Sequence, residues 1–216
     1  MELWHVLNRG VEKRNVVLDD QDRFRFIHDL FVFNDTSPAQ NIAQPRREVF
    51  DFSYQREELV RIHAFCLMSN HYHLLLSEKI AGGMPRFLQK LNMGYTKYFN
   101  ERRGRTGTLW QGKTKKILIE NDAHYLYIPY YIHLNPLDYT MPEWREGRVK
   151  DVHRALRELE MYRWSSHQDY IGTHNFPAVT HRTVVGELLG SPSHYQKEIA
   201  QIIKDSNLAT ASSLIE

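Results

Sequence analysis

Cysteine is nearly absent from this 216-residue chain, which contains a single one at position 66. A lone thiol excludes a disulfide framework and is typical of proteins kept in a reducing cytosol. No run of eighteen apolar residues occurs, so the sequence predicts no membrane-spanning helix. The segment Met1 to His5 shows no basic region followed by an apolar run, so no signal peptide is expected. These absences predict a cytoplasmic protein without membrane contact.

The net charge of the chain is also small, at +2, but the basic residues are distributed unevenly. The chain has 28 Lys and Arg against 26 Asp and Glu, whereas residues 86–116 have nine basic side chains and one acid, Glu101. A concentrated basic tract suggests that a polyanion docks at one place. Taken alone, the tract is explained equally well as a solvated face. Its members are Arg86, Lys90, Lys97, Arg102, Arg103, Arg105, Lys113, Lys115 and Lys116.

Two apolar segments, residues 59–68 and 71–77, flank a Ser-Asn turn and predict a β-hairpin. Because side chains alternate along a strand, His71 and His73 point to one face and Tyr72 to the other. Two imidazoles about 7 Å apart on a rigid strand can hold one metal ion. The His-x-His pattern is common by chance, so a third ligand from elsewhere is needed.

Around this hairpin, hydrophobic periodicity predicts alternating strands and helices. The predicted order is strand 3–7, helix 19–33, strands 59–68 and 71–77, helix 84–102, strand 115–119 and helix 121–135. The first six elements follow the split βαβ order. That order predicts an α+β, ferredoxin-like (RRM-like) fold, an antiparallel sheet with helices on one face. We predict a domain over 1–145, with a long loop at 34–58, and a mainly helical C-terminal extension over 146–216.

The two later helices carry the other candidate residues. On helix 84–102, Arg86, Lys90 and Lys97 lie opposite the apolar face. On helix 121–135, Tyr131 and Asn135 lie on one stripe because they are four residues apart. Tyr131 offers a phenol that can act as a nucleophile, and Asn135 offers a neutral oxygen. A buried core tyrosine is the ordinary alternative.

In these segments the sequence resembles the single-tyrosine HUH transposases of the insertion-sequence-200 type, most closely the REP-associated tyrosine transposases. The matching segments are Asn8-Arg9-Gly10, residues 63–75, residues 107–113, Tyr131-Ile132-His133-Leu134-Asn135-Pro136 and Trp164-Ser165-Ser166. The resemblance implies an HUH endonuclease fold in which His71-Tyr72-His73 is the HUH motif.

The resemblance also implies roles. Tyr131 corresponds to the family nucleophile, and Asn135 to a third metal ligand beside His71 and His73. The metal would be divalent, Mg²⁺ or Mn²⁺, and two imidazoles with an amide oxygen would favour Mn²⁺. The partner would be single-stranded or hairpin DNA, held by Arg9 and the nine basic residues of the tract. Trp110 is expected either to stack an unpaired base or to fold onto the core. The protein would be a monomer or a homodimer.

In the implied reaction, Tyr131 attacks a phosphate of single-stranded DNA to give a 5′-phosphotyrosine, and a strand hydroxyl later reverses the step. The covalent intermediate conserves the phosphodiester energy, in keeping with the lack of a Walker loop. Three alternatives remain open: a replication initiator or relaxase of the HUH class, a domesticated DNA-binding protein without transposition, and a zinc protein using His71, His73 and His124.

Overall fold

A four-stranded antiparallel sheet forms the centre of the computed structural model, which describes residues 1–38 and 55–204. Residues 39–54 of the predicted 34–58 loop lie outside the described residues. The strand order is β2-β3-β1-β4. The strands are β1 (Trp4–Arg9), β2 (Val60–Leu67), β3 (His71–Glu78) and β4 (Lys115–Leu118).

Two helices, α1 (Asp20–Val32) and α2 (Gly83–Arg103), pack on one face of the sheet. Helix α1 begins where the Asp19 carboxylate accepts a hydrogen bond from the Asp22 backbone N–H. Helix α2 ends at Gly104, whose positive φ of 59° suits glycine. Tyr72 lies in this core, 5.2 Å from the Phe26 ring centroid. Tyr72, the middle residue of the HUH motif, therefore points away from the two histidines and into the core beneath α1 and α2, as predicted.

The opposite face, which carries both histidines of the motif, is covered by α3 (Asp122–Leu134) and the residues that follow. These comprise two 3₁₀ segments and four further helices. They are Asn135–Tyr139, Pro142–Glu146, α4 (Val152–Met161), α5 (His167–Tyr170), α6 (Thr183–Leu189) and α7 (Pro192–Ile202). The ferredoxin-like helices thus share one face of the sheet, and the helical C-terminal part builds a second core on the other.

The C-terminal part is joined to the sheet by the Trp164-Ser165-Ser166 segment. Ser165 forms a bridge with Cys66, the Leu67 N–H donates to the Trp164 carbonyl at 2.9 Å, and the Ser166 N–H donates to the Phe65 carbonyl at 3.0 Å. This segment therefore covers the outer edge of β2. The division of the chain at residue 145 stays a prediction.

The observed order and topology confirm the predicted fold class. Among the described helices, none combines the length and apolar character needed to cross a bilayer.

Candidate active site

The two histidines of the motif meet on the face of the sheet covered by α3. In the strand register, His71 lies opposite Arg9 and His73 opposite Leu7, so Arg9 and His5 share their face. The ring centroids of His71 and His73 are 4.9 Å apart. At the preceding turn, the Gly10 N–H donates to the Asn70 carbonyl at 2.7 Å. A Cβ at Gly10 would come within 2.3 Å of the Arg14 carbonyl oxygen, which explains the glycine of Asn8-Arg9-Gly10.

Each motif histidine has a partner at Nδ1. His71 Nδ1 lies 2.6 Å from the Asn70 side-chain oxygen, and His73 Nδ1 lies 2.9 Å from His5 Nε2. These bonds assign the ligand role to Nε2 in both rings. The Nε2 atom of His73 is buried and has no protein partner. A buried imidazole nitrogen without a partner is costly unless a ligand occupies it.

The surroundings favour neutral imidazoles. Burial lowers the pKa of His73 well below its usual value, and electrostatic interactions with the neighbouring His5, His71, Arg145 and Arg9 lower it further. Burial, with a smaller effect from His124, lowers the pKa of His5 to about 3. Neutral imidazole is the form that binds a metal ion, so the site is prepared for one at neutral pH.

Tyr131 packs edge-on against His73 of the motif and against His5. Its ring centroid is 5.7 Å from that of His73 and 5.9 Å from that of His5. The residue is fully buried, and Trp144 covers it with a centroid separation of 6.1 Å. Tyr127 is the next tyrosine on this stripe, 6.4 Å from Tyr131. Tyr130 instead stacks on Tyr195, within the C-terminal core.

A guanidinium joins the tyrosine to the predicted amide ligand. Arg145 Nη1 donates to the Tyr131 hydroxyl at 3.3 Å, and Nη2 donates to the Asn135 side-chain oxygen at 3.2 Å. The Asn135 Nδ2 donates to the Tyr131 carbonyl at 2.7 Å. Asp138 holds the guanidinium through two bonds of 2.9 and 2.7 Å. Asn135 and Tyr131 are thus brought together as predicted, through a residue that sequence reasoning missed.

Much of the predicted basic tract is engaged by the protein itself. Arg102 and Arg103 both pair with Asp22, whose side chain is fully buried, and with Asp19. Other members bond to backbone carbonyls or neighbouring side chains. Arg86 donates to the Thr36 carbonyl, Lys90 to those of Asp35 and Ser37, and Arg105 to Asn100 and the Thr108 carbonyl; Lys97 lies 3.9 Å from Glu101. Their contact with DNA stays a prediction.

Two clefts gather the other basic residues. One, of about 270 Å³, lies beside the histidine face and is lined by Arg9, Lys113 and Lys115. The other, of about 690 Å³, lies beside α2 on the opposite face, with Lys97, Lys113 and Lys116 among its lining residues. Trp110 lines the second cleft but is only 8% exposed, packed 5.3 Å from the Tyr72 ring centroid. The structure therefore places Trp110 largely in the core, the alternative given above.

Sequence reasoning missed His5, Asn70 and Arg145. A signal for His5 existed, because it occupies an alternate position of a strand predicted to join the sheet. The zinc alternative finds no support in the described part of the chain. There, no three His, Cys, Asp or Glu side chains are arranged to hold a metal ion.

Comparison with known proteins finds a family match over part of the chain. Residues 39–135 match the model of the family described as IS200-like transposases. This match covers a part of the chain that contains His71, His73, Tyr131 and Asn135, and it agrees with the resemblance seen in the motifs. The chain is also similar to a solved structure, described as the REP-associated tyrosine transposase bound to a REP hairpin. The similarity has a TM-score of 0.47 at 13% identity, over 83% of this chain and 85% of that one. No curated protein matches the chain.

Proposed function

We propose that this transposase is a metal-dependent endonuclease and strand transferase that cleaves single-stranded DNA through a 5′-phosphotyrosine on Tyr131. The observation that carries the proposal is the position of the Tyr131 ring, which packs against His73 of the HUH motif at 5.7 Å. A nucleophile beside paired neutral imidazoles is the arrangement needed to attack a metal-bound phosphate.

The residues present fit a divalent metal ion. His73 Nε2 is a buried nitrogen without a protein partner, and the Nδ1 bond of His71 directs its Nε2 to the same role. The Asn135 oxygen accepts one bond from Arg145 and keeps a second lone pair for coordination. A bound Mg²⁺ or Mn²⁺ would polarise the phosphate and stabilise charge on its oxygens.

The protein's own residues have separate tasks. Tyr131 supplies the attacking oxygen, and its hydroxyl proton must leave because a phenol of pKa about 10 is protonated at neutral pH. Arg9, opposite His71, and Lys113 and Lys115 of the smaller cleft would hold the adjoining phosphates. Since Tyr131 is fully buried, DNA reaches its hydroxyl only after some of the residues packed around it move.

The motif resemblance extends the proposal to hairpin DNA as the recognised element. The test uses oligonucleotides that carry randomised hairpins flanked by single strands and a 3′ label. Incubation with Mn²⁺ should give a labelled adduct that survives denaturation, because the 5′-phosphate fragment stays on the protein. Lack of any adduct, with hairpin binding retained, would support the domesticated DNA-binding alternative.

Substitution of the nucleophile makes the test specific. Tyr131→Phe removes one oxygen and keeps the ring, so the adduct should disappear while binding of the same hairpin is retained. Tyr127→Phe and Tyr130→Phe are matched controls from the same helix and should still form it. Peptide mapping that finds the DNA on either control tyrosine would overturn the assignment.

A further inference from the structure

Arg145 is a cation that contacts the Tyr131 hydroxyl, the oxygen proposed to react. It belongs to none of the sequence motifs described above. Its side chain follows α3 in the 3₁₀ segment Pro142–Glu146 and reaches back over the ring of Tyr131, 5.4 Å from the centroid. We propose that Arg145 is a catalytic residue that neutralises the negative charge of the scissile phosphate during attack by Tyr131. This inference rests on the function proposed above.

The geometry supports contact with the phosphate. Arg145 Nη1 already lies 3.3 Å from the Tyr131 hydroxyl oxygen. Once that oxygen bonds to phosphorus, the non-bridging oxygens stand one bond further on, within reach of the same donor. A planar guanidinium is permanently charged and matches phosphate oxygens with paired N–H groups. The fixed donor is therefore placed where charge develops, which is the condition for stabilising the transition state.

Asp138 acts as a positioning residue for this guanidinium. Its two carboxylate oxygens bind Nε and Nη2 of Arg145, and one of them also accepts from the Trp144 indole at 2.7 Å. The side chain of Arg145 is 27% exposed, so it lies between the buried tyrosine and solvent. Asp138 thus holds Nε and Nη2 of the guanidinium, while Nη1 faces the Tyr131 hydroxyl oxygen.

The step balances without any co-reactant other than water. The bond from Tyr131 oxygen to phosphorus forms, and the bond from phosphorus to the 3′-oxygen breaks. The phenolic proton leaves to water, and the departing 3′-oxygen takes a proton from water. As the phenolate oxygen attacks, a second negative charge develops on the phosphoryl oxygens and the departing 3′-oxygen, and Arg145 neutralises part of this charge in the transition state.

A neutral phosphate analogue tests this role. The substrate is the hairpin oligonucleotide captured as an adduct by the wild-type chain, made with either a phosphodiester or a methylphosphonate at the cleaved linkage. On the phosphodiester, Arg145→Ala should slow adduct formation about 100- to 1000-fold, the usual effect of removing one such donor. On the uncharged methylphosphonate, the wild-type and Arg145→Ala rates should converge.

The controls separate this role from a structural one. Arg145→Lys keeps the positive charge but lacks the planar guanidinium, so its rate on the phosphodiester should fall between those of the wild type and Arg145→Ala. If Arg145→Ala does not fold, Arg145→Lys takes its place in the test. Arg148→Ala removes an exposed arginine that pairs with Glu146 and should leave both rates unchanged. The same loss on both linkages would mean that Arg145 only aligns the helix, and an unchanged phosphodiester rate would also overturn the proposal. Failure of the wild-type chain to form any adduct would instead overturn the proposed function.

Discussion

At the scale of single residues, the two motif histidines are oriented by unlike partners. Asn70 precedes His71 in the chain and binds its Nδ1, whereas His5 reaches His73 from a different strand, 68 positions away. Partners of this kind fix the tautomer and the direction of a metal-binding ring. The first could be read from the Ser-Asn-His order, but the second depends on strand pairing.

His5→Ala should weaken metal binding without removing a ligand. The hydrogen bond to His73 Nδ1 is lost, so the ring is no longer fixed and Mn²⁺ affinity should fall about 10- to 100-fold. Titration of Mn²⁺ followed by electron paramagnetic resonance measures this directly. His153→Ala, an exposed histidine on α4, is the matched control. Equal Mn²⁺ affinity in the His5 variant and the wild type would show that His5 only fills space.

Sequence reasoning found residues that are related within one strand or one helix, and it missed those brought in by strand pairing, such as His5, or by irregular chain, such as Arg145. The period of two put His71 and His73 on one face, and the period of 3.6 put Tyr131 and Asn135 on one stripe. Arg145 lies in a short 3₁₀ segment without such a pattern. Its position over Tyr131 is set by tertiary packing, which no local rule predicts.

At the scale of elements, α2 shows the limit of a charge stripe. The helical wheel placed Arg86, Lys90 and Lys97 on the outer face, but it could not show that an acid of α1 would pair with basic residues at the end of α2. Arg102 and Arg103 share the buried Asp22 carboxylate, and they join α1 to the end of α2. Charge counted along the sequence therefore overstates the charge available to DNA.

Arg102→Ala on α2 and a contrasting double variant at the larger cleft should separate these roles. Arg102→Ala leaves the buried Asp22 with one fewer partner, so it should lower the free energy of unfolding by about 1–3 kcal/mol. Urea denaturation measures the loss. Because Arg102 is engaged by Asp22, the salt dependence of hairpin binding should barely change in this variant. A clear fall in the salt slope would instead mean that Arg102 contacts the DNA backbone.

The contrasting change is Lys97→Ala combined with Lys116→Ala, at the larger cleft. Loss of two phosphate contacts should reduce the slope of log affinity against log salt by about 1.4 on single strands. Binding measured by fluorescence anisotropy over a range of salt concentrations gives this slope. An unchanged slope would mean that the cleft does not contact the DNA backbone.

At the scale of the whole molecule, Glu58 connects the start of β2 to the C-terminal part. Its carboxylate lies 2.8 Å from His181, 3.1 Å from Lys79 and 3.0 Å from Arg56. Burial alone would raise the pKa of Glu58, but these partners outweigh it and lower the pKa to about 2. Sequence reasoning could not find this cluster, because its members come from distant segments.

The depressed pKa gives a stability change at acid pH. A carboxyl with a pKa of about 4.5 when unfolded and about 2 when folded contributes its full stabilisation above pH 4.5, and loses it as the pH falls to 2. Glu58→Gln should therefore lower the free energy of unfolding by up to about 3 kcal/mol at pH 7, with the difference from wild type vanishing near pH 2. Thermal unfolding across this range checks it, with the exposed Glu143→Gln as control. A difference that persisted unchanged at pH 2 would contradict the linkage.

The two margins of the sheet differ in a way that affects self-association. The outer margin of β2 is covered by Trp164-Ser165-Ser166, whereas β4 is only four residues long and carries exposed Lys115 and Lys116. Short strands bearing lysine resist pairing with the same strand of another molecule. The residues available to attract a nucleic acid on β4 thus also oppose aggregation through that strand. Replacing both lysines by valine would leave a bare strand edge and favour insoluble, cross-β association.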